Sequence, residues 1–198
     1  MDIKERIESV LKAEADAINS IEVTDDFITA VEIMHSCSGK IITTGIGKAG
    51  HIANKFAATL CSTAAQAQFL HPAEAAHGDL GAVSNGDILI AFSTSGKSRE
   101  VIEILELSRR LGVTTVIGIT SHPDSELREY SDVVIDMGEI EEACPLGLTP
   151  TSSMAVMLAI SDALALSLME KNNVTREDYG VRHHGGYLGR AARLDNRP

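Results

Sequence analysis

The chain has no tryptophan, three cysteines and only 4% aromatic residues among its 198. Without large rings, its core must be built from Ala, Ile, Leu and Val, a mixture suited to helices packed on a buried sheet. Cys37, Cys61 and Cys144 are too few and too scattered for a disulfide framework or a zinc site, which fits a reducing compartment. Positive charge is scarce as well: 17 Lys and Arg stand against 28 Asp and Glu, a net charge of −11. Such a chain is repelled by a nucleic-acid backbone, and no Lys/Arg cluster offers a local exception, so no nucleic-acid partner is expected. No uninterrupted apolar run approaches the length that spans a membrane. The charged N-terminus, Met-Asp-Ile-Lys-Glu-Arg-Ile-Glu, is unlike a signal peptide. A cytoplasmic protein without a membrane partner is expected. Any anionic ligand must meet a focused positive spot, such as a helix N-terminus with one lysine.

What is present is ordinary globular composition, 44% hydrophobic and 23% charged. The length suits one domain, 1–198, without repeats or linkers. Residues 1–38 read as two helices. The first carries Ile3, Ile7, Leu11, Ala15 and Ile18 on one stripe, which serves either to cover the core or to form an oligomer contact. The second opens on Thr24, Asp25 and Asp26. Residues 39–175 form an α/β core with strands at 40–44, 66–70, 87–92, 114–119 and 132–136. Helices lie between them, and a long apolar helix follows at 151–171. A polar tail, 176–198, ends the chain. This alternation predicts a three-layer αβα, doubly wound, Rossmann-like sheet of about five parallel strands with an N-terminal helical extension. Ligands then collect outside the carboxyl ends of the strands, where loops 44–50, 93–98 and 137–153 should converge.

The loop Ser93-Thr94-Ser95-Gly96-Lys97-Ser98 joins a strongly apolar strand to a helix, so free amides and four hydroxyls gather at the positive end of a helix dipole. That suits a phosphate monoester. The competing reading is a plain N-cap. Gly45, Gly47 and Gly50 spell G-x-G-x-x-G after the first strand, but no acid closes the second strand to hold a ribose, so a glycine turn presenting Lys48 is preferred to a nucleotide site. Glu74, His77 and Asp79 share one short segment compatible with acid/base work, and as a zinc set they are weak. Glu141-Glu142-Ala-Cys-Pro-Leu-Gly147 runs into Thr149-Pro-Thr-Ser-Ser153, another hydroxyl-rich helix start.

The succession TGIGKAGHI, HPAEAAHGDLG, STSGKSRE, EACPLGLTPTSS and HHGGYLGR resembles sugar-isomerase-domain proteins over roughly residues 40–190, specifically the arabinose 5-phosphate isomerases. The resemblance implies interconversion of D-arabinose 5-phosphate and D-ribulose 5-phosphate through a cis-enediol, without cofactor or metal. The product serves 3-deoxy-D-manno-octulosonate synthesis for lipopolysaccharide or capsule. It implies Lys48, His77, Glu100, Glu142 and His183 as active-site residues. Ser93, Thr94, Ser95 and Ser98 would hold the substrate phosphate, with Gly45, Gly47, Thr149 and Ser152 as further substrate contacts. Glu142 is assigned as the base, its pKa raised because the Ala-Cys-Pro-Leu turn screens it from water. Glu100 has a rival reading as a surface partner of Lys97 or Arg99. The family also implies a homotetramer in which a neighbouring chain completes each site, with His183 on the tail suited to cross over.

Two features depart from the family pattern. His183-His184-Gly185-Gly186 replaces the usual His-Pro-Gly-Gly, and the chain stops at Pro198 where many members continue into paired CBS domains, so a stand-alone catalytic domain is expected. The alternatives are another sugar-phosphate isomerase, such as a 3-hexulose 6-phosphate isomerase, and a non-catalytic sugar-phosphate sensor. A sensor would need none of Lys48, Glu142 and His183.

Overall fold

The computed structural model describes residues 1–193. Five strands form one parallel sheet: β1 (Ile41–Gly45), β2 (Ala67–Leu70), β3 (Ile88–Phe92), β4 (Thr115–Thr120) and β5 (Val133–Asp136), in the order β2-β1-β3-β4-β5. β1 and β3 are buried at every position, as central strands of a sheet covered on both faces must be. Alternation sorts their side chains. Ile41, Ile88, Ile90 and Phe92 join one core cluster, and Ile42, Leu89 and Ala91 the other.

Helices α2 (Asp25–Ser36), α3 (Gly47–Ser62) and α7 (Ser152–Lys171) close the first core with Phe27, Phe56, Leu60, Val156 and Ile160. The second core lies under α4 (Pro72–Ala75), α5 (Arg99–Arg110) and α6 (Glu126–Tyr130), which supply Ala75, Val101, Leu105 and Leu127. This is the expected three-layer α/β architecture, and each expected strand is found within a residue of its predicted ends.

Three expectations are corrected. The Ile3, Ile7, Leu11, Ile18 stripe of α1 (Ile3–Asn19) faces solvent, with exposures of 68%, 55%, 62% and 37%. The half-buried line is instead Arg6, Val10, Ala13 and Ala17, and Ala17 packs on the first core. Small residues permit that close approach, whereas the larger stripe is turned away from the chain's own core. Secondly, α7, the expected long apolar helix, is by length and composition able to cross a membrane, where no apolar run of that length was expected. Val156, Met157, Ile160, Leu164, Ala165 and Leu168 are nevertheless buried against the sheet and neighbouring helices, while Leu158 and Leu166 on the other side stay exposed. Thirdly, the described part of the tail is helical: α8 (Arg176–Arg182), opened by a reciprocal Thr175/Asp178 capping box, and α9 (Gly186–Arg193).

Candidate functional site

In the order β2-β1-β3-β4-β5, the chain leaves β1 towards one edge and β3 towards the other. The topological switch point therefore lies between them, where crevices open at the carboxyl ends of such sheets. Gly45 at the end of β1 pairs with Phe92 at the end of β3. The turn presenting Lys48 and the hydroxyl loop 93–98 thus leave the sheet side by side.

The glycine turn is packed backbone on backbone. A Cβ on Gly50 would sit 2.5 Å from the Gly45 carbonyl oxygen, and one on Gly45 would sit 3.0 Å from that of Phe92. Two of the three fingerprint glycines therefore serve the β1–α3 junction. Gly47 has open space around it, and Lys48 is exposed in the first turn of α3.

In the loop 93–98, Ser98 does occupy the N-cap position of α5, but its hydroxyl caps nothing in the helix. It meets the Ser93 hydroxyl at 3.1 Å. The Ser95 hydroxyl accepts from the Lys97 amide at 3.3 Å. The simple N-cap reading fails, since the side chain that should satisfy the first turn is turned into the loop. The leading amides of α5, without intrahelical acceptors by construction, stay at the positive end of its dipole.

Glu142 departs most from expectation. Its carboxylate caps α7: the amides of Thr151 and Ser152 donate to Oε2 at 2.7 and 2.9 Å, and that of Ser153 to Oε1 at 3.3 Å. The Ser153 hydroxyl also donates to Oε1. Burial pushes this carboxyl up, but the Ser153 hydroxyl and the Thr151, Ser153 and Ser152 amides together hold it below the ordinary glutamate value. The expected raised pKa is thus reversed, because the turn that was to screen Glu142 instead delivers it to a helix N-terminus. Ser152, expected to touch substrate, is fully buried, and its hydroxyl accepts from the Ala143 amide at 3.3 Å. Thr149 remains exposed at the rim. Beside it, the Thr149 hydroxyl and the amides of Thr149, Leu146 and Leu148 hold the half-buried Cys144 thiol down to about 6.

Glu100, exposed in the first turn of α5, lines a small cavity of about 80 Å³ with Pro72, Ala76 and Leu80, so it faces the segment that carries His77. Among the described residues no ion pair joins it to Lys97 or Arg99. His77 is exposed just beyond α4, and the described residues contain no cluster of side chains able to hold a metal ion. His183 ends α8, its ring stacked on Tyr179 with centroids 5.4 Å apart and planes at 6°. No hydrogen bond or ion pair ties it to Lys48 or Glu142 among the described residues. An apolar groove of about 740 Å³ between α1, α2 and α7 contains none of the predicted site residues.

Sequence reasoning passed over the turn after β4. Thr120 and Ser125 are buried there against the loop 93–98, and nothing local in Thr-Ser-His-Pro announces that contact.

Comparison with known proteins places these features in a family. The chain is 41% identical over 192 residues to the arabinose 5-phosphate isomerase KdsD of Pseudomonas aeruginosa, covering 96% of this chain and 59% of that protein. It is likewise 41% identical to KdsD of Escherichia coli K12, covering 96% and 58%. The chain therefore spans less than two thirds of the length of these curated relatives. Among solved structures, one of a protein proposed to be a phosphosugar isomerase involved in capsule formation, from Bacteroides fragilis, superposes with a TM-score of 0.90 at 45% identity, over 94% of this chain and 100% of that one. An Escherichia coli CFT073 protein in complex with arabinose 5-phosphate superposes with a TM-score of 0.88 at 34% identity, over 92% and 100%. The SIS domain family model matches residues 34–167, and the chain belongs to that family.

Proposed function

We propose that this chain is an aldose–ketose isomerase that interconverts D-arabinose 5-phosphate and D-ribulose 5-phosphate. The observation that carries the reading is the pairing of Gly45 with Phe92, which sets a lysine-bearing turn beside a hydroxyl-lined helix N-terminus at the switch point. The similarity to KdsD proteins and to a structure holding arabinose 5-phosphate supports the substrate.

The loop 93–98 holds the phosphate through the Ser93, Thr94, Ser95 and Ser98 hydroxyls and the leading amides of α5. The pentose then extends across the crevice, with Gly47 and the rim residue Thr149 beside it. A base takes the proton from one of C1 and C2 and returns it to the other. Meanwhile a proton moves between their oxygens, so the substrate is neither oxidised nor reduced overall and needs no redox cofactor. Lys48 neutralises the charge that develops on the enediolate oxygens. Glu142, ionised and fully engaged by the α7 N-terminus, is a poor base, and its role is to fix the loop 137–151. The base role passes to Glu100, which lines a small cavity together with the segment 72–80, with His77 holding substrate hydroxyls. His183 reaches a site as a proton shuttle from the α8–α9 tail of a neighbouring chain in a homotetramer, and the exposed Ile3, Ile7 and Leu11 stripe supplies subunit contact. The protein is cytoplasmic, and its product feeds 3-deoxy-D-manno-octulosonate synthesis.

Incubation with arabinose 5-phosphate, a panel of other phosphorylated aldoses and 3-hexulose 6-phosphate, with the product of each identified, tests this. Preferred turnover of arabinose 5-phosphate is expected. Turnover of 3-hexulose 6-phosphate alone, or binding of sugar phosphates without turnover of any, refutes it.

A further inference from the structure

The loop 93–98 does not hold its shape alone. The Thr94 carbonyl oxygen is met by three groups from the end of β4: the Ser121 amide at 3.1 Å, the Thr120 hydroxyl at 3.1 Å and the His122 Nδ1 at 3.0 Å. A carbonyl oxygen has two lone pairs, so a third polar neighbour is more than ordinary satisfaction requires. Two residues on, the Gly96 carbonyl accepts from the Leu127 amide at 3.0 Å. The Ser125 side chain fills the space under Gly96, where a Cβ would lie 1.7 Å from its Oγ, and Gly96 itself has a φ of +63°.

A trans peptide points its C=O and the following N–H in opposite directions. With the Thr94 and Gly96 carbonyls drawn back towards β4 and α6, the Ser95 amide is turned the other way, towards the crevice, while the Lys97 amide donates to the Ser95 hydroxyl at 3.3 Å. Were the Thr94 peptide to flip, it would present a carbonyl oxygen, with its partial negative charge, to an incoming phosphate. The cost of that flip therefore sets how well the loop binds an anion.

We propose that His122 and Thr120 are positioning residues for the substrate phosphate: by gripping the Thr94 carbonyl they hold the 94–95 peptide with its amide facing the anion. His122 donates from Nδ1 to Thr94, which fixes its tautomer. Thr120, fully buried, both donates to Thr94 and accepts from the His122 amide at 3.1 Å, so one hydroxyl sets the turn and the loop together. His122 itself is exposed. Its replacement leaves no cavity, so it can be tested without unfolding the protein.

The proposal rests on the reading of the loop 93–98 as a phosphate site, and its test is separable from the reaction. The dissociation constant of inorganic phosphate is measured by calorimetry for the wild type, His122→Ala and His122→Asn, alongside KM and kcat for arabinose 5-phosphate. In His122→Ala the phosphate Kd and the KM should rise together by roughly three- to tenfold, the worth of one net hydrogen bond, while kcat changes by less. His122→Asn, which places an amide N–H at similar reach, should recover most of the affinity. Thr120→Val should repeat the loss. Unchanged phosphate affinity in His122→Ala overturns the proposal, as does an Asn variant no better than Ala, or a loss confined to kcat. A wild type that binds phosphate but isomerises no pentose phosphate refutes the reaction, and the ratio of phosphate constants still decides the role of His122. A wild type that binds no phosphate overturns both.

Discussion

Replacing Glu142 by Gln separates a capping role from a catalytic one. The wild-type carboxylate accepts from three amides at the start of α7 and from the Ser153 hydroxyl, and it sits at the positive end of a 20-residue helix. A glutamine keeps one oxygen for Thr151 and Ser152 but turns an NH2 group towards the Ser153 amide, and it removes the charge that the dipole favours. One charge-assisted hydrogen bond and the dipole interaction together come to about 2 kcal/mol in a half-buried setting, or roughly 4–8 °C in Tm for a chain of this size. The effect has a pH signature. Because the folded value lies below the ordinary 4.5, the stabilisation is complete above about pH 4.5 and is lost as pH falls through the folded value. Asp87 is also held low. Burial pushes it up, but the Lys40 and Ser84 amides and the Lys40 ammonium outweigh that. Since Asp87 titrates in both proteins, it cancels when their Tm values are subtracted. Scanning calorimetry of wild type and E142Q from pH 3 to 8 should therefore show a constant gap above pH 5 that closes on acidification. With Glu100 as base, kcat of folded E142Q should fall by no more than about tenfold, while Glu100→Gln should lose about a hundredfold or more. An equal Tm at neutral pH, or a gap as wide at pH 3 as at pH 7, refutes the capping argument. A kcat loss in E142Q matching that of Glu100→Gln refutes the reassignment of the base.

The Gly96→Ala variant forces a side chain into the space of the Ser125 hydroxyl at a φ of +63°, and it should weaken inorganic phosphate binding by roughly tenfold or more; calorimetry showing wild-type affinity would sink the account of the loop. Alkylation of Cys144 by iodoacetamide should follow a thiolate fraction with a midpoint of about 6 and level off above about pH 7, with Thr149→Val moving the midpoint up; peptide-resolved rates that climb steadily to pH 8 would contradict the hydrogen-bonded thiolate. Ile7→Asp with Leu11→Asp charges a stripe that is 55% and 62% exposed at those positions, so the single chain should fold unchanged while light scattering shows a smaller assembly. An unaltered mass would rule that stripe out as subunit contact.

The sheet was legible because β1 and β3 are buried on both faces and so read as a β-branched run, Ile-Ile-Thr-Thr, and an apolar one, Ile-Leu-Ile-Ala-Phe, each ending in a glycine or hydroxyl turn. The two loops at the switch point were legible for the same reason: their residues are consecutive. What could not be read was anything settled across the chain. The periodicity of α1 gave the right helix and the wrong inner face, because the small Ala17, and not Ile7 or Leu11, packs on the first core. Glu142 looked screened in sequence, yet the fold aims it at amides nine to eleven residues on. The tail read as polar because Arg176, Glu177, Arg182 and Arg190 face outward, although a Thr175/Asp178 capping box stood in the sequence as a helix-start signal.

The contrast between α5 and α7 explains how similar-looking helix starts come to do different work. Both follow strands at the carboxyl edge, and both open on serine and threonine, Ser93-Thr-Ser-Gly-Lys-Ser98 and Thr149-Pro-Thr-Ser-Ser153. At α7 the protein brings its own anion: Glu142 satisfies three leading amides, and Ser152 is buried beneath it. An outside anion there would meet a carboxylate already in place. At α5 the hydroxyls are turned on one another, Ser93 to Ser98 and Ser95 to the Lys97 amide, and the Thr94 and Gly96 carbonyls are drawn back by the turn after β4. The positive end of α5 is left for a ligand to fill. An anion site is thus made here less by adding donors than by withholding the internal acceptor that would otherwise quench them.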